Sequence, residues 1–350
     1  MVSIVIVGFG GMGGYHYRTI KRNKLLRVLG VYDICEKANN KARALGLKVY
    51  NSFDEVLADA SVNAILISAP NDVHAPYMLQ AAAAKKHVLC EKPVTLSSSL
   101  LSDMIQAANQ NNVVFLVNQN RRQDTDFITI CQTINSGALG RVYKIENNVM
   151  GSHAMPDGYR RKKECGGGML LDWGVHLIDQ LLYFINSKVE AVFCKNSYVF
   201  NYGVDDGCEV RLSFANGCEA KIYIDTNSFC PLPRWVVYGE NGSAVLKKWV
   251  ILFPKGKIIS LKERVDKKNK GIQAGNGFTK TMADRSKSTI TRRRLPLVKT
   301  DRDFIYKNFA SAIQNGTPPI VTPTELMRVM QVMEACFLSD QTNQVIKTDI

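Results

Sequence analysis

Ile4-Val5-Ile6-Val7-Gly8-Phe9-Gly10-Gly11-Met12-Gly13 is the stretch that decides how the first third of the chain folds. Four apolar β-formers run into a glycine turn, and a helical pattern begins near Gly11, so the segment reads as strand, turn and helix. The first glycine permits the tight turn, the second lets backbone approach a pyrophosphate, and the third lets helix and strand pack closely. The helix start offers free amides and a positive dipole end to phosphate. The glycine pattern alone is weak, and its flanking elements make it a dinucleotide-binding turn with Gly8, Phe9, Gly10, Gly11, Met12 and Gly13 as contacts. Asp33 closes the second apolar run 20 residues after Gly13. A carboxylate there accepts hydrogen bonds from the adenine ribose hydroxyls and repels a 2′-phosphate. Ile34, Cys35 and Glu36 follow without an arginine, which favours NAD over NADP.

Outward from this turn, short apolar runs alternate with Ala- and Leu-rich segments. Val28 to Tyr32, Ala64 to Ala69, His87 to Cys90 and Val113 to Val117 are the runs, and Asp54 to Ala60 and Ala75 to Lys85 are crossover helices. This rhythm predicts a parallel, doubly wound α/β sheet over residues 1–122. After Arg122 the texture changes. A helix from Asp124 to Asn135 and an extended run from Arg141 to Met150 precede a helix near 170–186. Strand patterns then follow at Val189 to Phe200, Cys208 to Phe214, Cys218 to Asp225, Trp235 to Tyr238 and Ala244 to Trp249, with Asn216-Gly217 and Asn241-Gly242 as hairpin turns. Residues 123–350 are therefore expected to form an α+β domain with an open, mostly antiparallel sheet. A last helix, Pro323 to Ser339, carries one apolar face and can pack back on the first domain.

A length of 350 residues, 46% of them apolar, suits two packed cores. Met1 leads directly into strand and glycine turn without a basic stretch, no apolar run approaches the roughly 18 residues of a membrane helix, and a cytoplasmic protein is expected. The nine cysteines (35, 90, 131, 165, 194, 208, 218, 230 and 336) lack the two-residue spacing of a zinc clip or redox pair and read as free thiols. The five histidines (16, 74, 87, 153 and 176) are dispersed, so no metal site is expected. The formal net charge of +14 raises the question of nucleic acid. From Lys255 to Arg302 there are 15 basic and 4 acidic residues, which puts +11 of the excess in one segment. That segment has little apolar periodicity and few aromatics to stack bases, and residues 262–294 are expected to be poorly ordered. A solvated loop or an anion-favouring rim is the better reading than nucleic-acid binding.

Two further segments carry chemistry. Glu91-Lys92-Pro93 follows the run Val88 to Cys90 and sets a lysine at the carboxyl end of a strand, where open α/β sheets bind ligands. Gly166-Gly167-Gly168 leads into a helix in which Asp172, His176 and Asp179 share a face, with a carboxylate able to stabilise the protonated imidazole and orient it for proton transfer. A lone histidine in an apolar helix is usually a core residue, and the flanking acids argue for function.

Taken with Pro70-Asn71, His74, Lys86-His87-Val88-Leu89-Cys90-Glu91-Lys92-Pro93, Asn120-Arg121-Arg122 and Ser136-Gly137-Ala138-Leu139-Gly140-Arg141-Val142, these motifs resemble the glucose-fructose oxidoreductase, inositol dehydrogenase and rhizopine-catabolism (Gfo/Idh/MocA) family over nearly the whole chain. The resemblance implies a Rossmann domain, a second domain with an open sheet, and an active site between them. It maps a lysine, aspartate and histidine set onto Lys92, Asp172 and His176. His176 would be the general base, Lys92 would stabilise the reacting oxygen, and Asp172 would orient substrate or histidine. Pro70, Asn71, His74, Glu91 and Lys92 match the family's cofactor-side positions. Arg122, His153, Tyr159 and Arg160 are candidate substrate contacts beside Asp172 and His176, and Arg122, Arg160 and Arg161 leave a carboxylated or phosphorylated sugar open. The expected activity is NAD-linked oxidation of a secondary alcohol on a sugar, cyclitol or related polyol. The alternatives are oxidation of a glycoside ring hydroxyl and a non-catalytic cofactor- or sugar-sensing regulator. A homodimer or homotetramer is the expected assembly, with no nucleic acid or membrane as partner.

Overall fold

The structure, a computed structural model, describes residues 1–22, 24–249, 255–268 and 271–350. The first part of the chain forms β1 (Val2–Val7), α1 (Gly11–Ile20), β2 (Leu26–Tyr32), α2 (Glu36–Ala44), β3 (Lys48–Val49), α3 (Phe53–Ala58), β4 (Ala64–Ile67), α4 (His74–Ala83), β5 (His87–Cys90), α5 (Ser98–Gln110) and β6 (Phe115–Val117). The six strands make one parallel sheet in the order β3-β2-β1-β4-β5-β6. Every residue of β4 is buried, as are five of the six in β1. That is why these strands read as continuous apolar runs rather than alternating ones. The chain order reverses between β1 and β4, the crevice where such sheets bind ligands.

The second part contributes α6 (Thr125–Asn135), β7 (Val142–Met150), α7 (Val175–Phe184), β8 (Val189–Ser197), β9 (Gly207–Phe214), β10 (Glu219–Asp225), β11 (Trp235–Gly239), β12 (Gly242–Leu246), β13 (Gly256–Leu261), β14 (Ile272–Ala274), β15 (Gly277–Thr279), β16 (Ile290–Arg294), α8 (Phe304–Asn315), α9 (Pro323–Thr342) and β17 (Ile346–Lys347). Nine of these strands pair in the order β16-β13-β12-β11-β7-β10-β9-β8-β17. Every pairing is antiparallel except β7 with β10, where Lys144 meets Glu219 and Met150 meets Asp225. One face packs on α7 and α9: Val192, Val210, Leu212, Ile222 and Trp235 share a buried cluster with Ile178, Leu181, Val329 and Met333.

Three expectations need correction. The basic stretch 262–294 is not structureless. Within it β16 extends the large sheet against β13, and β14 and β15 make a separate two-stranded hairpin, with residues 269–270 outside the described part. The strand expected up to Trp249 ends at Leu246. A helix, α8, goes unread in the sequence, and its Phe304, Ile305, Tyr306, Phe309 and Ala310 are buried in the core of the parallel sheet.

α9 ties the two cores together. Leu326 and Met330 pack in the first, and Val329, Val332, Met333 and Cys336 in the second. Thr322 and Glu325 cap it reciprocally, with Pro323 in its first turn. Glu325 also accepts from Arg122 Nη1 at 3.2 Å. Arg122 is 5% exposed and forks onto Asp179, 2% exposed, at 2.9 and 2.6 Å. This bidentate pair joins the end of the first part to α7. Arg122→Ala strands a buried carboxylate, so a loss of about 3–5 kcal/mol in unfolding free energy is expected, measured as a lower urea midpoint. A shift equivalent to under about 1 kcal/mol would show that the pair is not a structural tie.

Candidate active site

The glycine turn follows from a close approach of backbone to backbone. A Cβ on Gly13 would lie 2.1 Å from the Gly8 carbonyl oxygen, so only glycine lets α1 come down on the end of β1. A Cβ on Gly10 or Gly11 would meet nothing within 4 Å, which leaves the outer side of the turn open. Gly10 caps α1 without any side-chain hydrogen bond, so the first amides of the helix face open space. Asp33, just past β2, accepts from the Phe9 amide at 2.6 Å and from the Cys35 amide at 2.7 Å, which fixes its carboxylate beside the turn.

A cavity of about 730 Å³ starts here and runs to α7. At the turn end Gly8, Gly10, Gly11, Met12, Asp33, Pro70 and Asn71 line it, and at the far end Lys92, Tyr159, Arg160, Asp172 and His176 do, with Glu91 between. Asn71 Nδ2 donates to the Gly166 carbonyl at 2.8 Å and so joins the two walls. Glu91 is 6% exposed and accepts from His16 Nε2 and Asn118 Nδ2, both at 2.7 Å. Burial pushes its carboxyl up, but His16, Asn118 and Lys92 outweigh this and hold it below the ordinary range.

Lys92 Nζ donates to both the backbone carbonyl and Oδ1 of Asp172 at 2.8 Å. Arg160 Nε donates to the other carboxylate oxygen at 2.9 Å. Burial alone would raise the Asp172 carboxyl, and the two cations reverse this and hold it below the usual aspartate range. Asp172 belongs to a π-helical turn, Leu170–Gly174, that opens into α7. Asp205 holds the entry to this turn: its Oδ2 accepts from the Leu170 amide at 2.7 Å, and its carbonyl from the Met169 amide at 3.1 Å. Burial pushes the Asp205 carboxyl up to about 6. Gly168 gives way to it, at a φ of +109° and with a virtual Cβ 2.1 Å from Asp205 Oδ1.

His176 is 4% exposed, and its Nδ1 has no hydrogen-bond partner among the described residues. Burial, then the charges of Lys92, Arg121 and Arg234, hold the ring well below the ordinary histidine range. The imidazole is therefore neutral near pH 7. This corrects the expectation that a flanking carboxylate stabilises the protonated ring. Asp172 is committed to Lys92 and Arg160, Asp179 is committed to Arg122, and neither bonds the ring.

Other sequence-derived candidates lie off the cavity. Arg122 points into the Asp179 pair described above. His153 is exposed, and Arg161 bonds the Met155 carbonyl at 3.0 Å and stacks on Tyr202. His74 is fully buried between the Pro93 and Ala69 carbonyls at 2.8 and 3.0 Å, where burial holds it below its ordinary range, so it braces two loops. Phe9 is buried against Tyr17 and contributes its backbone amide, and Gly13 packs on Gly8. Conversely, Arg121, Trp173, Tyr32, Tyr77, Asn120 and Cys165 line the cavity without having been singled out. Arg121 stands beside Arg122 in a 3-10 turn, Asn120–Gln123, where successive side chains point to different sides. Nothing in the sequence alone says which of two adjacent arginines faces the cleft.

Residues 2–119 match an oxidoreductase family with an NAD-binding Rossmann fold, and residues 127–245 match the GFO/IDH/MocA C-terminal domain. The chain belongs to the Gfo/Idh/MocA oxidoreductases. Within this family it is similar to an NAD-binding protein from Listeria innocua of solved structure, at 38% identity over 99% of each chain with a TM-score of 0.94. It is 28% identical to the myo-inositol 2-dehydrogenase of Thermotoga maritima over 62% of this chain and 66% of that one. It is 24% identical to the scyllo-inositol 2-dehydrogenase (NADP(+)) IolW of Bacillus subtilis over 99% of this chain and 95% of that one.

The two ends of the glycine turn are separable by substitution. Gly10→Ala puts a methyl into open space and should leave the melting temperature near wild type while weakening NADH binding by about tenfold or more, because the methyl fills the side open to a ligand. Gly13→Ala should instead lower the melting temperature, because the methyl meets backbone. Fluorescence titration and thermal melts check both. Unchanged NADH affinity in Gly10→Ala would contradict this assignment of the turn.

Proposed function

We propose that the protein is an NAD-dependent dehydrogenase acting on a secondary alcohol of a sugar, cyclitol or related polyol, with Lys92, Asp172 and His176 at the reacting centre. The observation that carries this reading is that Lys92 and a neutral His176 line one end of a cavity whose other end is the open glycine turn with Asp33. The residues fit a dinucleotide. The uncapped amides of α1 and the open side of Gly10 and Gly11 would hold the pyrophosphate, Asp33 the adenine ribose, and Pro70, Asn71 and Glu91 the nicotinamide end. When bound, the cofactor supplies the hydride acceptor.

This chain's own groups handle the proton and the oxygen. Nδ1 of His176 is enclosed, which leaves Nε2 to take the hydroxyl proton as the carbon loses hydride, and to return it in the reverse direction. Lys92 donates a hydrogen bond to the same oxygen and stabilises negative charge as it develops. Asp172 holds the ammonium of Lys92 and the fork of Arg160 in place, and is available to a neighbouring hydroxyl. The myo-inositol and scyllo-inositol dehydrogenases among its relatives support a polyol. All nine cysteines are free, which suits the reducing cytoplasm, and the reading includes a homodimer or homotetramer.

Three measurements follow. Lys92→Ala and His176→Ala should each lower kcat on an accepted polyol by roughly 10²- to 10⁴-fold while NADH affinity stays near wild type. Because the imidazole is held below its usual range, its base form persists on acidification, so kcat/KM for oxidation should stay level down to about pH 6.5 and fall only below it. Wild-type turnover in either variant would remove these residues from the chemistry. For the cofactor, a fixed carboxylate followed by Ile34 supports NAD. Asp33→Ser should shift the NADH-to-NADPH affinity ratio toward NADPH by about tenfold or more. Tighter NADPH binding by the wild type would contradict the preference.

A further inference from the structure

Three cationic side chains, Lys92, Arg121 and Arg160, line the substrate end of the cavity. Two carboxylates answer them. Asp172 is shared between Lys92 and Arg160, and Asp124 Oδ2 meets Arg121 Nη1 at 3.2 Å. Behind them Arg234 and Asp126 pair with each other at 3.0 Å and cancel. Glu91 also lines the cavity beside Lys92 and acts on Arg160, so carboxylates and cations match in number only while all three acids are ionised. A shortfall of one negative charge opens when Asp124 is neutral, and burial pushes that carboxyl up to about 6.

The two arginines are built to present their forks. The Arg121 guanidinium lies 4.7 Å from the rings of both Trp173 and Trp249, which fixes its plane; with Nη1 on Asp124 and Nε enclosed, Nη2 is the donor it keeps for a ligand. Arg160 is braced by Asp172 through Nε and lies over Tyr159 at 4.8 Å, and among the described residues its two terminal nitrogens make no hydrogen bond. A planar fork with free donors is the side-chain geometry that matches a carboxylate.

We propose that the substrate is a sugar acid, a polyhydroxylated monoanion whose carboxylate is held by Arg121 and Arg160 while a secondary hydroxyl meets Lys92 and His176. This rests on the hydride-transfer reading above. It also answers a difficulty in the chemistry of the site. Burial and the charges of Lys92, Arg121 and Arg234 make His176 a weak base, and a carboxylate beside Lys92 and Arg121 offsets part of their field. The base is then strengthened only when an anionic substrate is seated. A neutral sugar leaves that field uncompensated and the Arg160 fork unpaired. The reaction balances with the bound cofactor: the carbinol carbon gives hydride to NAD, its hydroxyl gives a proton to His176, and the carboxylate is unchanged.

The test is steady-state oxidation by the wild-type enzyme with NAD of matched pairs, glucose against gluconate and glucuronate and galactose against galacturonate, with myo-inositol and glucose 6-phosphate as further arms. At least one acid should exceed its neutral partner in kcat/KM by about 100-fold, as two charge-assisted contacts imply. Arg160→Gln, on an outer loop, and Arg121→Gln should each cut that acid-over-neutral ratio by about tenfold or more, chiefly through KM, and Arg121→Lys should restore part of it. Neutral sugars or inositol turned over as well as the acids, or arginine variants that leave the ratio unchanged, would overturn the inference and leave the dehydrogenase reading standing. Preference for the phosphate would overturn the carboxylate assignment. No turnover of any arm by a protein that binds NADH would sink the polyol reading and this inference with it.

Discussion

The bond from Lys92 Nζ to the carboxylate and carbonyl of Asp172 holds this site together. Lys92 leaves the end of β5 in the parallel sheet, and Asp172 enters from the turn ahead of α7 in the second core, so one ammonium spans the cleft. Each end is anchored from behind. Glu91, adjacent to Lys92, is fixed by His16 and Asn118, and His16 Nδ1 is itself 2.7 Å from the Tyr306 hydroxyl of α8. The Asp172 turn is fixed by Asp205 at its entry and by the Arg122–Asp179 fork one turn later. The late helices α8 and α9 therefore brace from behind the groups proposed to react.

Electrostatics divides the labour among similar residues. Asp172 and Asp179 lie on the same helical stretch as His176, but each is neutralised by cations of its own, so the histidine is left with burial and positive neighbours. A neutral imidazole can accept a proton, whereas one held protonated by an aspartate could not begin an oxidation. The same division explains the arginines. Arg122 is spent on structure, and Arg121 and Arg160 line the cavity.

Much of this was legible in the sequence where local chemistry is decisive. Gly8 to Gly13, Asp33 and the apolar runs of β1, β2, β4 and β5 carry signals set by backbone sterics and by burial on both faces of a strand. Lys92, Asp172 and His176 were singled out by their motif context, and the structure brings them to one end of one cavity, where their roles are proposed. What stayed hidden depends on partners distant in the chain. Whether Arg121 or Arg122 faces the cleft is set by Asp179, Glu325 and two tryptophans, and the state of His176 is set by burial and by charges from three separate segments. The parallel pairing of β7 with β10 leaves no trace in either strand's pattern. α8 has a regular apolar face, Phe304, Ile305, Phe309 and Ala312, but follows a basic stretch that masks it. The pairing of β16 with β13 was masked in the same way, since Arg292, Arg293 and Arg294 look like solvated loop until a partner strand is known.

The central claim is that the nicotinamide end of a bound dinucleotide lies beside His176. Histidine-labelled protein, with the His176 resonance assigned through His176→Asn, can be titrated with NADH and examined for magnetisation transfer from the proton at nicotinamide C4 to the imidazole rings. Transfer to His176, with a neutral ring at pH 7 and the exposed His153 unaffected, is the result this account predicts. Saturable NADH binding that leaves the His176 resonance unmoved and without transfer would contradict it.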